Sequence, residues 1–318
     1  MNDMNPGVSV IMSVYKEPID WIKQSVESIL NQTYKNFEYI IICDNPDYKE
    51  AISLLKSYER NEPRIKIITN KENIGLTKSL NKGIRISNGK YIARLDADDV
   101  SLPMRLEKQY NYMQSNKDII VLGTNVKCIG EKSLIHQGPS IFYEDEDLKA
   151  QLLLQNCFVH SSVFIRKEIL EANGIIYDED YRQTQDLRLW EILMQYGKFA
   201  NLRDKLVLYR FSNQQITKSN GTRQMDNSKK IRFRMQMAWL LKIGYDYSIT
   251  DIENCSYYIL MQLKKNKDVR KTKEFKAFIQ YVYLNSNERR RFKFLSFLAD
   301  IKYFSFSNAL RVFRLFLS

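Results

Sequence analysis

Histidine is scarce in this sequence of 318 residues: His136 and His160 are all it has. That nearly excludes a metal centre built from imidazoles. Cysteine is hardly more abundant. Cys43, Cys128, Cys157 and Cys255 show no C-x-x-C spacing, which argues against a zinc knuckle or a redox pair and fits a reduced compartment. No stretch reaches the ~18–20 apolar residues that span a bilayer. Residues 1–7 are short and polar and run straight into an apolar strand, without the pattern of a signal peptide. There is no internal repeat and no low-complexity tract. These absences lead to the expectation of a cytoplasmic globular protein.

What is present is ordinary in composition, with 44% hydrophobic and 27% charged residues, which excludes a wholly disordered chain. The length suits one large or two modest domains. The net charge of +12 is unevenly placed. Residues 220–318 carry 20 Lys and Arg against 8 Asp and Glu, whereas residues 1–219 carry 29 of each sign. A basic last third implies an anionic partner, whether lipid headgroups, phosphates or nucleic acid.

Apolar runs and helical periodicities alternate through the first hundred residues. Val8–Val14, Phe37–Cys43, Ile65–Thr69 and Lys90–Leu95 read as short buried strands. Between them, helices are marked by Ile22, Val26, Ile29 and Leu30, by the stretch Ala51–Tyr58, and by Leu76, Leu80 and Ile84. Asp44-Asn45-Pro46 and Asn88-Gly89 supply turns. Strands that are apolar throughout argue a parallel sheet covered on both faces, and ligands bind beyond the carboxyl ends of such strands. Asp118–Gly123 and His160–Ile165 read as later strands, residues 130–150 as a polar loop, and Leu187–Met194 as a helix. From about residue 220 the chain reads as basic, aromatic and helical.

Asp96-Ala97-Asp98-Asp99 follows the fourth strand directly. Three carboxylates in four residues repel one another unless a cation intervenes. Hard oxygen ligands suit Mg²⁺ or Mn²⁺, shared with substrate phosphates. The same run also reads as an acidic loop before a helix, with Asp99 or Ser101 as N-cap ahead of Pro103. Asp44 reads either as the head of an Asx-turn or as an acceptor for a nucleobase imino group.

The ordered series of these segments resembles the family 2 glycosyltransferases, inverting enzymes with the GT-A fold. The resemblance runs from Val8 to Arg210. It is carried by Val8–Tyr15, Ser25–Tyr34, Phe37–Asp44, Asn73–Leu76 with Ser79–Asn81, Gly89–Asp99, and Pro103 with Arg105. It implies an α/β fold with a mostly parallel nucleotide-binding sheet flanked by helices. It places Ser13, Tyr15, Glu17 and Asp44 in a donor pocket. Asp96 and Asp98 become a DxD motif that would hold Mn²⁺ or Mg²⁺, with Asp98 nearest the metal. Cys43 stands where the family commonly has a first aspartate, which loosens the inference that the base is uracil.

The resemblance also implies a general base. Inversion needs a carboxylate about 3 Å from the attacking hydroxyl. Thr184-Gln185-Asp186-Leu187-Arg188-Leu189-Trp190 matches the family's base segment, so Asp186 is the expected base, although Gln185 replaces the usual Glu. Asp186 also suits the N-cap of its helix. His160 and Trp190 are candidates for the acceptor side, each with a structural alternative. Leu206–Arg210 with Ser212 is similar to a family stretch whose following loop can close over the donor.

Residues 1–219 are thus expected to form a catalytic domain and 220–318 a basic helical region. Within the latter, residues 289–318 interleave aromatics with Lys and Arg, a pattern that suits attachment to an anionic membrane surface or packing on the catalytic domain. The expected partners are a UDP-sugar and a glycan, lipid-linked if the enzyme lies peripherally at the inner face of the cytoplasmic membrane. Nucleic acid is the weaker reading of the basic tail. A sugar-phosphate nucleotidyltransferase would want a glycine-rich turn after the first strand, and Ser13-Val14-Tyr15-Lys16-Glu17 has none. The other rival is a non-catalytic binding protein.

Overall fold

The structure is a computed structural model and describes residues 5–130, 142–152 and 156–211, with scattered positions between 224 and 238. Strand β1 (Val8–Val14) is buried along its whole length. It leads into α1 (Ile19–Leu30), β2 (Phe37–Cys43), α2 (Lys49–Asn61), β3 (Ile65–Thr69), α3 (Leu76–Arg85) and β4 (Tyr91–Arg94). These four strands lie in the order β3-β2-β1-β4 and pair in parallel, with Val8 opposite both Phe37 and Tyr91.

Side chains alternate across a strand, so each strand serves two layers. Val8, Val10, Met12 and Val14 join Tyr39, Ile41 and Cys43 in a core with Ile22, Val26 and Ile29 of α1 and Ala51 and Leu55 of α2. Each such aliphatic side chain contributes about 1.5–3 kcal/mol when fully buried. Ile11 faces the other way, against α3. There, a Cβ added to Gly83 would stand 2.7 Å from Ile11 Cγ2. Helices therefore cover both faces, as the apolar strands require.

The remaining half of the sheet is mixed. It is built from β5 (Val100–Ser101), β6 (Ile119–Gly130), β7 (Phe164–Arg166) and β8 (Lys198–Phe211), with α4 (Arg105–Ser115), α5 (Asp145–Leu152), α6 (Lys167–Ala172) and α7 (Gln185–Leu193) between or beside them. The full order is β3-β2-β1-β4-β7-β6-β8-β5. Strand β7 is antiparallel to β4 and β6, β8 is parallel to β6 with register shifts, and β5 is antiparallel to β8.

Three expectations need correction here. His160–Ile165 is not one strand: His160–Ser162 is a 3₁₀ turn and β7 begins at Phe164. The serine hydroxyls make the difference, because Ser162 Oγ donates back to Val159 O at 2.8 Å and Ser161 Oγ points to Asp96. The polar stretch ending at residue 150 contains α5, whose acidic first turn, Asp145, Glu146 and Asp147, suits the positive end of the helix. Neither Asp99 nor Ser101 caps α4, since Met104 holds the N-cap position.

The chain divides into two units, Met1–Phe233 and Arg234–Ser318. The basic region expected from residue 220, including residues 289–318, lies almost wholly outside the described residues. Among the described residues, no helix is long and apolar enough to cross a membrane.

Candidate active site

The carboxyl ends of β1, β2 and β4 open side by side. Asp44 extends β2 by donating its amide to Val14 O at 2.7 Å. Its carboxylate is 2% exposed and accepts from Asn70 Nδ2 at 2.8 Å, Ile74 N at 2.9 Å and Gly75 N at 2.8 Å. Asp44 thus ties the loop before α3 to the end of β2. Gly75, at φ 87°, takes the left-handed turn this loop needs. Ser13 lies buried at the end of β1, and the exposed Tyr15 follows it. Glu17 turns back so that Oε2 accepts from Tyr15 N at 2.7 Å. Burial raises the Glu17 pKa, and the Asp96 charge adds to the rise.

The acidic run separates into three roles. Asp96 is held by Ser161, whose Oγ donates to Oδ2 at 2.7 Å and accepts from the Asp96 amide at 2.9 Å, while the Arg94 guanidinium pairs with Oδ1. Burial would raise its pKa, but Arg94, His160 and the Ser161 hydroxyl outweigh it and keep the carboxyl low. Among the described residues Asp98 has only its backbone engaged, its carbonyl accepting from Arg210 Nε at 2.7 Å. Burial, with the charges of Asp96 and Glu17, pushes its carboxyl up to about 7. Asp99 is fully buried and accepts the Arg210 amide at 2.7 Å, so it anchors β8. Arg210 adds a bond to Gln24 at 2.9 Å and lies over the Trp21 ring at 4.7 Å, linking β8 to α1.

The candidate donors for a divalent cation are Asp96 and Asp98. Asp98 is a half-buried carboxylate facing two like charges, which a cation would relieve. Asp96 is already engaged by Arg94, and among the described residues no cluster of three or more His, Cys, Asp or Glu could hold a metal by itself. The residues therefore fit an ion of the Mg²⁺ type, which takes one or two carboxylates and fills its remaining sites with phosphate oxygens and water.

His160 lies within the electrostatic reach of both Asp96 and Asp186. Asp186 is not the cap of α7, because Thr184 holds that position and Asp186 is already helical. Its Oδ2 accepts from Asn156 Nδ2 at 2.5 Å. His160 Nε2 meets the Tyr177 hydroxyl at 2.7 Å. Burial and Arg94 lower the His160 pKa against the opposing pull of Asp186 and Asp96, so the ring lies within the field of both carboxylates. Trp190 is fully buried, edge-on to Phe158 and facing His160 from behind. It supports the wall of the site and offers no surface to an acceptor. Gln183, just before α7, has φ 74°, a left-handed conformation that a non-glycine residue adopts at a cost of about 1–2 kcal/mol per residue.

The geometry brings Ser13, Tyr15, Glu17, Asp44, Asp96 and Asp98 to one end of the sheet, with His160 and Asp186 electrostatically in reach. Sequence reasoning missed Asn156, Ser161 and Tyr177. Only Ser161 had a signal, standing beside His160 in the HSSVFIR stretch.

A nucleotide-binding α/β sheet with a carboxylate-rich mouth defines the class as GT-A-type. The description "Glycosyl transferase family 2" matches residues 9–174, and the chain belongs to that family. It is 39% identical over 210 residues to the glycosyltransferase MJ1057 of Methanocaldococcus jannaschii, covering 65% of this chain and 72% of that one. It is 37% identical over 218 residues to the O-antigen biosynthesis glycosyltransferase WbnJ of Escherichia coli, covering 67% and 82%. The S. aureus TarS 1–349 crystal structure in complex with UDP-GlcNAc superposes with a TM-score of 0.60 at 16% identity, covering 86% of this chain and 81% of that one, a likeness of fold.

Proposed function

We propose that this glycosyltransferase moves a sugar, with inversion, from a UDP-sugar to a hydroxyl of a glycan acceptor in surface-polysaccharide synthesis. The observation that carries the reading is the placement of Asp186. It shares the electrostatic surroundings of His160 with Asp96, does not cap its helix, and has one carboxylate oxygen without a partner among the described residues.

In this reading the donor lies across the carboxyl ends of β1, β2 and β4. Tyr15 offers an exposed ring to the base, and the loop fixed by Asp44 shapes the pocket wall. Asp98 and Asp96 would hold Mn²⁺ or Mg²⁺, which neutralises charge on the leaving diphosphate. Asp186 takes the acceptor hydroxyl's proton as that oxygen attacks the anomeric carbon from the face opposite the diphosphate. His160, bonded to Tyr177, lines the acceptor side. The O-antigen role of WbnJ and the UDP-GlcNAc held by TarS support the acceptor and donor classes. A lipid-linked acceptor fits a basic last third held at the inner face of the cytoplasmic membrane.

The test is turnover of Asp186→Asn. It is expected to fall by about 100-fold or more with donor affinity kept. A fully active variant would remove Asp186 from this role.

A further inference from the structure

We infer that Asn156 is a positioning residue for Asp186, holding its carboxylate turned so that the second oxygen faces the acceptor hydroxyl. This rests on the reading of Asp186 as the base.

The geometry is built in both directions from the Asn156 side chain. Its Nδ2 donates to Asp186 Oδ2 at 2.5 Å, while its Oδ1 accepts the Phe158 amide at 3.2 Å. A backbone N–H can only donate and an ionised carboxylate can only accept, so these two partners fix which way the amide points. The turn is itself held in place. Phe158 is 3% exposed and packs edge-on against Trp190 at 5.3 Å and Phe199 at 5.7 Å between ring centroids. Asn201 Nδ2 donates to Cys157 O at 3.3 Å. Trp190 lies one helical turn beyond Asp186 on α7, so the helix that carries the base also packs the aromatic ring that orients Asn156.

The chemistry suits a base. A donor bonded to the charged carboxylate favours the ionised form and fixes its rotamer. Because the amide is neutral, it does so without the strong loss of proton affinity that a cation would cause. One Asp186 oxygen is thereby occupied and the other is left for the acceptor. The titratable groups in the field of Asp186 are Cys157 in the same segment, His160 in the 3₁₀ turn, Tyr177 before α7 and Tyr209 on β8. Among the described residues, none of these four donates a hydrogen bond to its carboxylate.

Asn156→Ser tests this cleanly, because serine keeps an acceptor for the Phe158 amide but is too short to reach Asp186. The side-chain carboxyl resonance of Asp186, assigned by its loss in Asp186→Asn, is titrated by NMR in the full-length protein. In Asn156→Ser the midpoint is expected to rise by about one pH unit. In Asn156→Asp, which sets a like charge against it, the midpoint is expected to rise further. With UDP-GlcNAc as donor probe, kcat is expected to fall by about 10- to 100-fold with KM little changed, and its acidic limb to move up with the resonance. An unchanged midpoint in both variants overturns the proposal, whatever the activity. Full turnover in Asp186→Asn would instead sink the base assignment, and the NMR titration tells the two failures apart.

Discussion

The two halves of the sheet are built by different rules. Strands β3, β2, β1 and β4 are four to seven residues long, pair in parallel without a register shift, and alternate with helices. Strands β7, β6, β8 and β5 mix orientations, range from two to 14 residues, and carry shifts at Ile119/Val121 and around Asn125. The first half delivers the proposed donor residues on strand ends and the turns directly after them. The second half brings Asn156, His160 and Asp186 together from a loop, a 3₁₀ turn and a helix. Parallel strands fix where a nucleotide can bind, while irregular connections leave freedom to shape an acceptor side.

The largest effect that would break this division is on chemistry. Asp186→Asn is expected to lower turnover by about 100-fold or more, measured as nucleoside diphosphate release, because a proton acceptor is lost. A smaller effect compares two glycines. Gly83→Ala in the parallel half pushes a Cβ to within 2.7 Å of Ile11 Cγ2, whereas Gly123→Ala in the mixed half meets Asn201 Oδ1 at 2.1 Å and Phe158 Cδ1 at 2.6 Å. Both are expected to cost about 1–3 kcal/mol in denaturant unfolding. Only Gly123→Ala is also expected to lower turnover, by roughly 10-fold, because Phe158 orients Asn156.

A third prediction concerns pH. The Asp98 carboxyl is raised from 3.8 to about 7 by burial, with Asp96 and Glu17. The folded state therefore holds this proton more tightly than the unfolded chain. Its contribution to stability is full below about pH 4 and is lost as pH rises through about 7. Chelator-treated protein is expected to lose up to about 4 kcal/mol across that window in urea melts, and Asp98→Asn to flatten the slope. The smallest effect is Arg210→Ala. It removes the bonds to Asp98 O and Gln24 but keeps the backbone bond to Asp99, and is expected to cost about 1 kcal/mol of stability.

The same division governed what could be read in the sequence. In the parallel half, β1, β2 and β3 were legible to the residue, because strands buried on both faces appear as unbroken apolar runs. Asp44 and Asp96 were legible because each follows such a run. The length of β8 was not, since Asn201, Arg203, Asp204 and Lys205 interrupt its apolar pattern and its partner β6 lies far back in the chain. The 3₁₀ turn at His160–Ser162 was hidden by a sequence that looks like a strand until its serine hydroxyls find other partners. Asp186 was singled out by resemblance, whereas Asn156 depends on a contact spanning thirty residues that no local pattern announces.

In the proposed mechanism, donor binding and proton removal sit on separate halves of one site. Calorimetric titration of UDP in the presence of Mn²⁺ into Asp98→Ala and Asp186→Asn tests it most directly. The account predicts that metal-dependent binding disappears in Asp98→Ala and stays within about twofold of wild type in Asp186→Asn. Equal loss in both variants, or full binding by Asp98→Ala, would contradict it.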